Sequence, residues 1–313
     1  YVRIPKSVIF NVPDSFRRNQ DYFLDTTANR KQNGWGMAEI VMPSVLYAID
    51  ERQSVSFVWR ARSSVSGGNL PTPLANFFGN DFPNPQYAGK NLTIEQAAVG
   101  VHIWNELGFS YARVIKEGYT SRWKAGITVK LLSGVAAGYA SVVNTSFVLN
   151  NRRNADITSG TMSYGYNQEL DTWKKPDMSN VKLFQNNGVG FDLGVIYEYR
   201  PDNGGFGAYE GTDADDYKVR IGVSLTDIGR IKYQKGANNT DLDLKKEDIT
   251  PRDITYRDKE SLKQYSTRLN NYFTPIASDS TFNMTLPAAL NLMGDYNIDG
   301  RFFVSANAVI ALN

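Results

Sequence analysis

The acidic and amide residues near the end of the chain have the spacing of a calcium-binding loop. The segment Asp295-Tyr296-Asn297-Ile298-Asp299-Gly300 places oxygen-bearing side chains at alternate positions and ends on a glycine, as the opening of an EF-hand loop does. The last position of such a loop needs a bidentate glutamate, but Ala306 stands there. Because alternating apolar residues flank the segment on both sides, we predict a hairpin turn over residues 297–300 and no metal site.

Two further acidic clusters could supply oxygen ligands to a divalent cation. Spacing alone defines no ligand geometry, and acidic runs beside strand ends are commonly solvated loops. We therefore expect no bound metal at either cluster. The first cluster consists of Asp213, Asp215 and Asp216, and the second of Asp241, Asp243, Glu247 and Asp248.

Residues for nucleophilic or general-base catalysis are scarce. His102 is the one histidine, and the chain has no cysteine. A membrane-embedded hydrolase would need a serine nucleophile beside that histidine, and no Gly-x-Ser-x-Gly nucleophile elbow occurs. The expectation is a protein that is not an enzyme, with no catalytic residue and no cofactor.

The strongest pattern in the chain is an alternation of apolar residues with polar or very small ones. Successive side chains of a strand point to opposite faces, so each alternating stretch predicts a strand with one apolar face. The apolar positions are Val189, Phe191, Leu193, Val195, Tyr197 and Tyr199 in one stretch, and Tyr217, Val219, Ile221, Val223 and Leu225 in another. Each stretch has roughly the 9 to 12 residues that a tilted strand needs to cross a bilayer core. Together they predict a transmembrane β-barrel.

The same alternation recurs along the whole chain and gives about eleven candidate strands. Residues 2–10 and 37–49 are among the first, and residues 282–296 and 302–312 are the last; Ser133-Gly134 is predicted as a tight turn between two strands. Long and short connections alternate, as they do in outer-membrane barrels. We predict a single all-β domain over residues 1–313, an antiparallel barrel of about 12 to 14 strands when complete. The odd strand number predicts that the barrel is incomplete at both ends, since single-chain bacterial barrels have even numbers.

Composition permits a barrel and excludes several other classes of protein. The chain has 34 basic and 32 acidic residues and no Lys/Arg-rich run, which excludes a nucleic-acid partner. No apolar run is long enough for a membrane-spanning helix. A soluble β protein whose apolar faces form an ordinary core remains the alternative. Glycines among the charged positions, such as Gly190, Gly194 and Gly222, favour a polar lumen instead, because glycine weakens a strand that faces water.

Two segments outside the strands could contact a partner or a solute. The long insertion over residues 235–281 is predicted to carry a short amphipathic helix, because Leu262, Tyr265, Leu269 and Tyr272 follow helical spacing. Its apolar stripe could pack on the barrel rim, plug the lumen or dock a partner. The second segment is a loop that carries Phe77, Phe78 and Phe82. These aromatics could form a solute or docking surface, or pack within the loop itself.

Four blocks of the sequence resemble a known class of proteins. The blocks are residues 104–113, 123–134 and 222–233, and residues 286–292 leading to Asp295-Tyr296. They resemble a family of uncharacterised outer-membrane β-barrels of Bacteroidota. More distantly, the chain is similar to FadL-type transporters and to the PorV and PorP/SprF barrels of the type IX secretion and gliding apparatus. The resemblance spans roughly residues 100–313. It implies a location in the outer membrane of a Gram-negative bacterium, in contact with outer-membrane lipid and lipopolysaccharide.

Two functional hypotheses follow from the pattern and the resemblance. The first is a membrane component or anchor of a surface or secretion-type protein complex, which predicts a plugged lumen and a protein partner at the insertion. The alternative is a FadL-like channel for a small hydrophobic solute, which predicts a continuous lumen or a lateral opening. Because Tyr1 opens into strand-like sequence, a secretory signal is expected to have been removed or to lie outside this sequence.

Overall fold

Antiparallel strands make up most of the chain. A computed structural model describes residues 2–3, 23–24, 31–71, 89–150, 154–172, 185–201, 217–257 and 259–312. Fourteen strands form one curled antiparallel sheet, and two short strands pair separately. The predicted all-β, barrel-type fold with a helix-bearing insertion is confirmed. The strands are β1 Val2–Arg3, β2 Phe23–Leu24, β3 Lys31–Val41, β4 Val45–Asp50, β5 Gln53–Pro71, β6 Asn91–Glu117, β7 Ser121–Leu149, β8 Ala155–Tyr166, β9 Asn187–Tyr199, β10 Val219–Gln234, β11 Asp241–Asp243, β12 Lys246–Ile249, β13 Thr274–Ile276, β14 Thr281–Thr285, β15 Ala289–Asn297 and β16 Phe303–Ala311.

The sheet has eight columns of strands in the part that contains the short turns. β3 and β4 pair one after the other with β5 and form a single column. The following columns are β5, β6, β7, β9, β10, β15 and β16, in that order. The short turns lie at residues 51–52, 118–120 and 298–302, and we call this side of the sheet the turn end.

The opposite side, which we call the insertion end, is built from the far halves of the two longest strands and from the insertion. β8 pairs with the far half of β7, whereas β9 pairs with its near half. The short strands β11 and β12 of the insertion pair with β8, and β14 pairs with the far half of β10. The strand pattern therefore continues into the segment that the sequence predicted as a long loop.

The predicted turn at Ser133-Gly134 is wrong, because β7 runs without interruption from Ser121 to Leu149. Gly134 instead allows the side chain of Tyr233 to lie close to the backbone of β7. A Cβ atom at this position would lie 1.9 Å from the hydroxyl oxygen of Tyr233, so only glycine leaves room for that ring.

The strand predicted over residues 37–49 is two strands in the structure, β3 and β4. The break falls at residues 42–44, which include Pro43. Proline has no backbone N–H to donate to a neighbouring strand, and such breaks suit an edge strand. The backbone N–H of Met42 still donates to the carbonyl of Trp59 at 2.9 Å, so both halves stay attached to β5.

The two faces of the sheet follow from one continuous register. β5 and β6 pair without a shift from Gln53↔Arg113 to Gly68↔Ala98. Side chains alternate with period two, so Phe57 and Phe109 share one face, and Arg62 and Trp104 share the other. We call the face of Phe57 the outer face and that of Arg62 the inner face.

A β-bulge in β10 reverses the alternation. The register with β9 shifts between Leu225 and Ile228, and Asp227 lies in the left-handed region with φ +59°. Before the bulge Ile221 and Val223 are exposed; after it, Ile231 is fully buried. The alternation of apolar and polar residues in the sequence stops at Leu225, because the extra residue of the bulge lies between Leu225 and Ile228.

The insertion carries two helices, α1 Pro251–Ile254 and α2 Leu262–Tyr272. Ser261 and Gln264 form a capping box, in which each side chain binds the backbone N–H of the other residue. Leu269 is buried against Leu242, Ile249 and Tyr164. The predicted helix is therefore confirmed, and its apolar stripe packs on the sheet. In the described ranges, no helix has the length and apolarity to cross a membrane.

Arg268 on α2 fastens the helix to the segment that precedes it. Its guanidinium donates to both carboxylate oxygens of Glu260, at 2.8 and 2.9 Å, and to the carbonyl of Thr255 at 2.9 Å. These bonds favour the ionised carboxylate and hold the pKa of Glu260 below its ordinary value, while the pKa of Arg268 is raised.

We predict that Glu260→Gln weakens the attachment of α2 at neutral pH by about 1 to 2 kcal/mol, as for a partly exposed charge-assisted pair. Since the folded-state pKa of Glu260 is lowered, its contribution is present above its unfolded-state pKa and is lost as the pH falls through the folded-state pKa. Hydrogen exchange of α2 between pH 7 and about pH 3 measures this loss. Glu247→Gln, at an exposed acid of the same insertion, is the matched control. Equal protection of α2 in both variants would contradict the prediction.

Candidate functional site in the curled sheet

The inner face of the sheet carries a cluster of buried charges centred on Arg62 and Asp227. The guanidinium of Arg62 donates to both carboxylate oxygens of Asp227, at 2.8 and 2.9 Å, and to Glu106 at 3.0 Å. The Arg62 and Glu106 side chains are 4% and 2% exposed. Bidentate geometry of this kind suits a buried ion pair, because it satisfies several donors at once.

Lys130 completes the cluster from β7. Its ammonium lies 2.6 Å from Asp227 and 2.7 Å from Asp192. The carboxylate of Asp192 also accepts the backbone N–H of Asp227, at 2.7 Å. The β-bulge therefore does two things: it turns the Asp227 side chain to the inner face and directs its backbone N–H to a neighbouring carboxylate. We call Arg62, Glu106, Lys130, Asp192 and Asp227 the central ion cluster.

The pair Arg62–Asp227 crosses the interior of the curled sheet. Arg62 lies on β5 and Asp227 on β10, and three strands, β6, β7 and β9, separate them in the sheet. A direct contact of 2.8 Å requires the sheet to curl until its inner faces meet. A barrel of about eight strands has an interior just wide enough for side chains to fill. At this level, side chains of β5 and β10 meet across the inner face.

A second group of charges lies nearer the turn end. The buried carboxylate of Glu198 accepts hydrogen bonds from Lys124 at 2.7 Å and from Arg220 at 3.0 Å, and Arg200 approaches to 4.0 Å. Arg220 also stacks over the ring of Tyr217. The inner face is thus charged over much of its length, and acidic groups are paired with basic groups.

An aromatic layer lies on the inner face next to the central ion cluster, toward the insertion end. Trp104, Tyr233 and Phe282 form one buried group. His102 stacks on Trp104, and its Nε2 lies 2.9 Å from the Tyr233 hydroxyl. The one histidine of the chain is therefore part of a packed layer.

An apolar cavity of about 240 Å³ lies between the sheet and α2. Ile94, Val142 and Phe147 line it from the strands, and Leu269 and Phe273 line it from the insertion. None of the side chains that line it is charged.

The structure separates the candidate contact residues of the insertion helix. Tyr265 and Leu269 line the cavity, whereas Tyr272 packs at the edge of the apolar group around Leu269. Burial raises the pKa of Tyr265 to about 12, and its hydroxyl donates to the carbonyl of Ile254 at 2.8 Å. Leu262 is half-buried at the start of α2. The other candidates, Phe77, Phe78 and Phe82, lie outside the described residues.

The calcium-like segment is a hairpin turn, as predicted. Asn297 Oδ1 accepts the backbone N–H of Gly300, which has φ +83°, and Asp299 accepts those of Arg301 and Phe302. The oxygen atoms that a cation would need are thus used by the turn. The acidic residues of the insertion do not converge, and within the described ranges no three acidic or histidine side chains form a group suited to a metal ion. Asp213, Asp215 and Asp216 lie outside those ranges.

No direct signal in the sequence predicts the contact between Arg62 and Asp227, which lie 165 residues apart. Two weaker signals were present. Charged residues recur at every second position of predicted strands, and the alternation fails at Thr226-Asp227. A failure of period two within an otherwise regular strand is typical of a bulge, and bulges often redirect a functional side chain.

We predict that Arg62→Met destabilises the folded protein by about 3 kcal/mol or more, because it leaves buried carboxylates without their guanidinium. Combining it with Asp227→Asn should cost less than the sum of the two single changes. Urea unfolding of the extracted protein measures each free energy. Arg52→Met is the control, since Arg52 pairs with Glu117 at 3.1 Å on the surface, where a pair contributes about 1 kcal/mol or less. A loss for Arg62→Met no larger than for Arg52→Met would refute a central role for the cluster.

Comparison with known proteins adds a family but no activity. No curated protein matches the chain. A family defined as a "Family of unknown function (DUF5723)" matches residues 6–312, nearly the whole sequence. The family has no assigned substrate, partner or location. The chain belongs to this family of unknown function.

Proposed function

We propose that this protein is an outer-membrane β-barrel of a Gram-negative bacterium that serves as a membrane component or anchor of a surface or secretion-type complex. The observation that carries the proposal is the inverted distribution of residues on β5, β6, β7, β9 and β10: charges are buried on the inner face, and apolar side chains are exposed on the outer face. The exposed apolar residues, which we call the outer band, are Val55, Phe109, Tyr111, Trp123, Ile127, Val129, Leu131, Val189, Phe191, Leu193, Val195, Ile221 and Val223.

Exposure on this scale is what a lipid-facing surface requires. Leu193 and Val223 are each 46% exposed although neighbouring strands pair on both sides of them. Apolar patches of this extent on a water-soluble protein would drive association. In a bilayer the same apolar side chains would contact lipid chains instead of water. The backbone N–H and C=O groups are already paired between strands, so they would need no water as a partner. A lipid environment therefore accounts for both faces at once.

The height of the outer band supports the same proposal. On β7 it runs from Trp123 to Leu131. About nine residues at about 3.4 Å each, tilted by about 40°, rise about 23 Å along the barrel axis. This is close to the apolar band of about 25 Å in outer-membrane barrels. Trp123 and Tyr199 lie near strand ends, where aromatic residues favour the membrane interface.

The filled interior favours an anchor over a channel. The central ion cluster and the aromatic layer occupy successive levels of the inner face, and both include contacts between strands that are not neighbours. A solute would have to break the Arg62–Asp227 pair to pass. The insertion, by contrast, forms a folded unit with its own apolar core and exposed charged surface beyond the outer band. This unit is where we place a protein partner, while the outer band contacts outer-membrane lipid and lipopolysaccharide.

The alternative function, uptake of a small hydrophobic solute by a FadL-like channel, draws support from the apolar cavity at α2. It would need a route through the interior that avoids the paired charges. We regard it as the second candidate.

Because the chain has no cysteine, single cysteines can report on the environment of each face. We predict that a fluorophore attached at Leu193→Cys, Ile127→Cys or Val223→Cys is quenched by brominated lipid in reconstituted bilayers. Lys232→Cys and Glu247→Cys, at exposed charged positions beyond the bulge and on the insertion, should label readily with a water-soluble maleimide and escape quenching. Equal labelling from water at all five positions would rule out a lipid-facing outer band.

The choice between anchor and channel can be tested on the native protein. We predict that mild detergent extraction of a tagged chain recovers a protein partner, and that a photo-crosslinking residue at Glu247 captures it whereas one at Tyr119 in a turn at the other end does not. Liposomes containing the pure protein should show no ion conductance and no solute uptake. A barrel that always purifies alone and conducts ions would favour the channel and overturn the anchor.

A further inference from the structure

The apolar cavity lies on the outer face of the sheet and is separate from the charged interior. In the unbroken register of β5 and β6, Val99 shares a face with Phe57 and Phe109 of the outer face. The pairs Val99↔Ala140, Ala97↔Val142 and Val142↔Met162 carry that face across β7 to β8. These residues line the cavity, and α2 packs over them. The strands themselves therefore stand between the cavity and the central ion cluster.

The chemistry of the cavity wall is that of a hydrocarbon-binding site. Of its hydroxyl groups, that of Tyr265 donates to the carbonyl of Ile254 at 2.8 Å, and that of Thr145 donates to the carbonyl of Val143 at 3.3 Å. These two groups are satisfied by the protein, and Ser141 is the one further hydroxyl residue in a wall that is otherwise apolar. Apolar cavities accept apolar ligands; an engineered cavity of about 150 Å³ binds benzene. At about 240 Å³, this cavity has room for a larger molecule.

Access to the cavity is available from the side of the outer band. Val99 lines the cavity and is also 45% exposed. Val101 and Val65 pair with each other on the same face, and both are exposed. These three valines extend the apolar surface from the cavity toward the outer band. A ligand could therefore reach the cavity along the outer face without crossing the barrel interior.

We propose that the cavity between α2 and the outer face binds an uncharged hydrocarbon group: a free apolar solute or the acyl chain of a lipid. The site binds from the outer face and does not conduct through the barrel. The site uses none of the inner-face charges, although it lies in the insertion, where we place the protein partner. The ligand would fill the space that now separates α2 from β7 and β8, and it would stabilise the insertion.

Methionine labelling offers a local readout, because the chain has six methionines and Met162 lines the cavity whereas Met284 packs on the inner face. Protein with ¹³C-labelled methionine methyl groups is reconstituted in nanodiscs and titrated with p-xylene, with benzoate as the charged counterpart. We expect a saturable shift of the Met162 signal, identified by its loss in Met162→Leu, with little change at Met284 and no effect of benzoate. Nanodiscs with a lipid spin-labelled along its acyl chain test the second source: broadening of Met162 without added solute identifies the acyl chain.

Two substitutions fill the cavity from opposite sides. Leu269→Trp on α2 and Ala97→Leu on β6 should each abolish the p-xylene shift and the broadening, while Leu262→Trp, at a half-buried position of the same helix outside the lining, should preserve them. An unchanged Met284 signal verifies that each variant is folded. If one filling variant does not fold, the other alone is enough to test the proposal. Equal, non-saturable shifts at all methionines, or no selective effect at Met162 from either source, would overturn the proposal. Neither result bears on whether the barrel anchors a partner.

Discussion

The neutralisation of buried charge across the interior is the constraint on which the rest of this structure depends. A sheet that turns its apolar face outward must place its polar side chains in a narrow interior, where each charge loses its water. The desolvation cost is several kcal/mol per ion unless partners and hydrogen bonds replace that water. Arg62, Lys130 and Asp227 meet this requirement only because β5, β7 and β10 face one another across the curled sheet. The pairing of these charges therefore depends on the curl of the sheet and on its small number of columns.

The bulge at Asp227 separates two parts of β10 that differ in which side chains are exposed. On its turn-end side the strands expose apolar residues and bury charges; beyond it Arg230 and Lys232 are exposed, and Ile231 and Tyr233 are buried. One extra residue suffices, because a shift of one position moves every later side chain to the opposite face. The face on which Ile221 and Val223 are exposed before Asp227 therefore carries Arg230 and Lys232 beyond it.

The sequence predicted the local structure better than the contacts between distant strands. Period-two alternation correctly located β9 and β10, and helical spacing located α2, because both signals are local. Ser133-Gly134 was misread as a turn, since the need for glycine arises from the ring of Tyr233, about 100 residues further along the chain. The cavity was equally hidden: Ala97, Met162 and Leu269 come from three separate segments. Only Tyr265 and Leu269 of the candidate contact residues could be related to it, through the apolar stripe of the helix.

The position of α2 connects the proposed anchor with the proposed binding site. A helix that plugged the lumen would have to cover the inner face, but the aromatic layer already occupies that face at the insertion end. The outer face beyond the outer band is the remaining apolar surface, and α2 covers part of it through Leu269 and Phe273. The helix cannot pack closely everywhere, because Ala97 and Ala140 provide small side chains where the curvature of the sheet leaves a gap. The cavity lies beside these small residues, where α2 packs on Tyr164 but leaves a gap over the alanines. A hydrocarbon group in that gap would supply the contacts that the alanines lack.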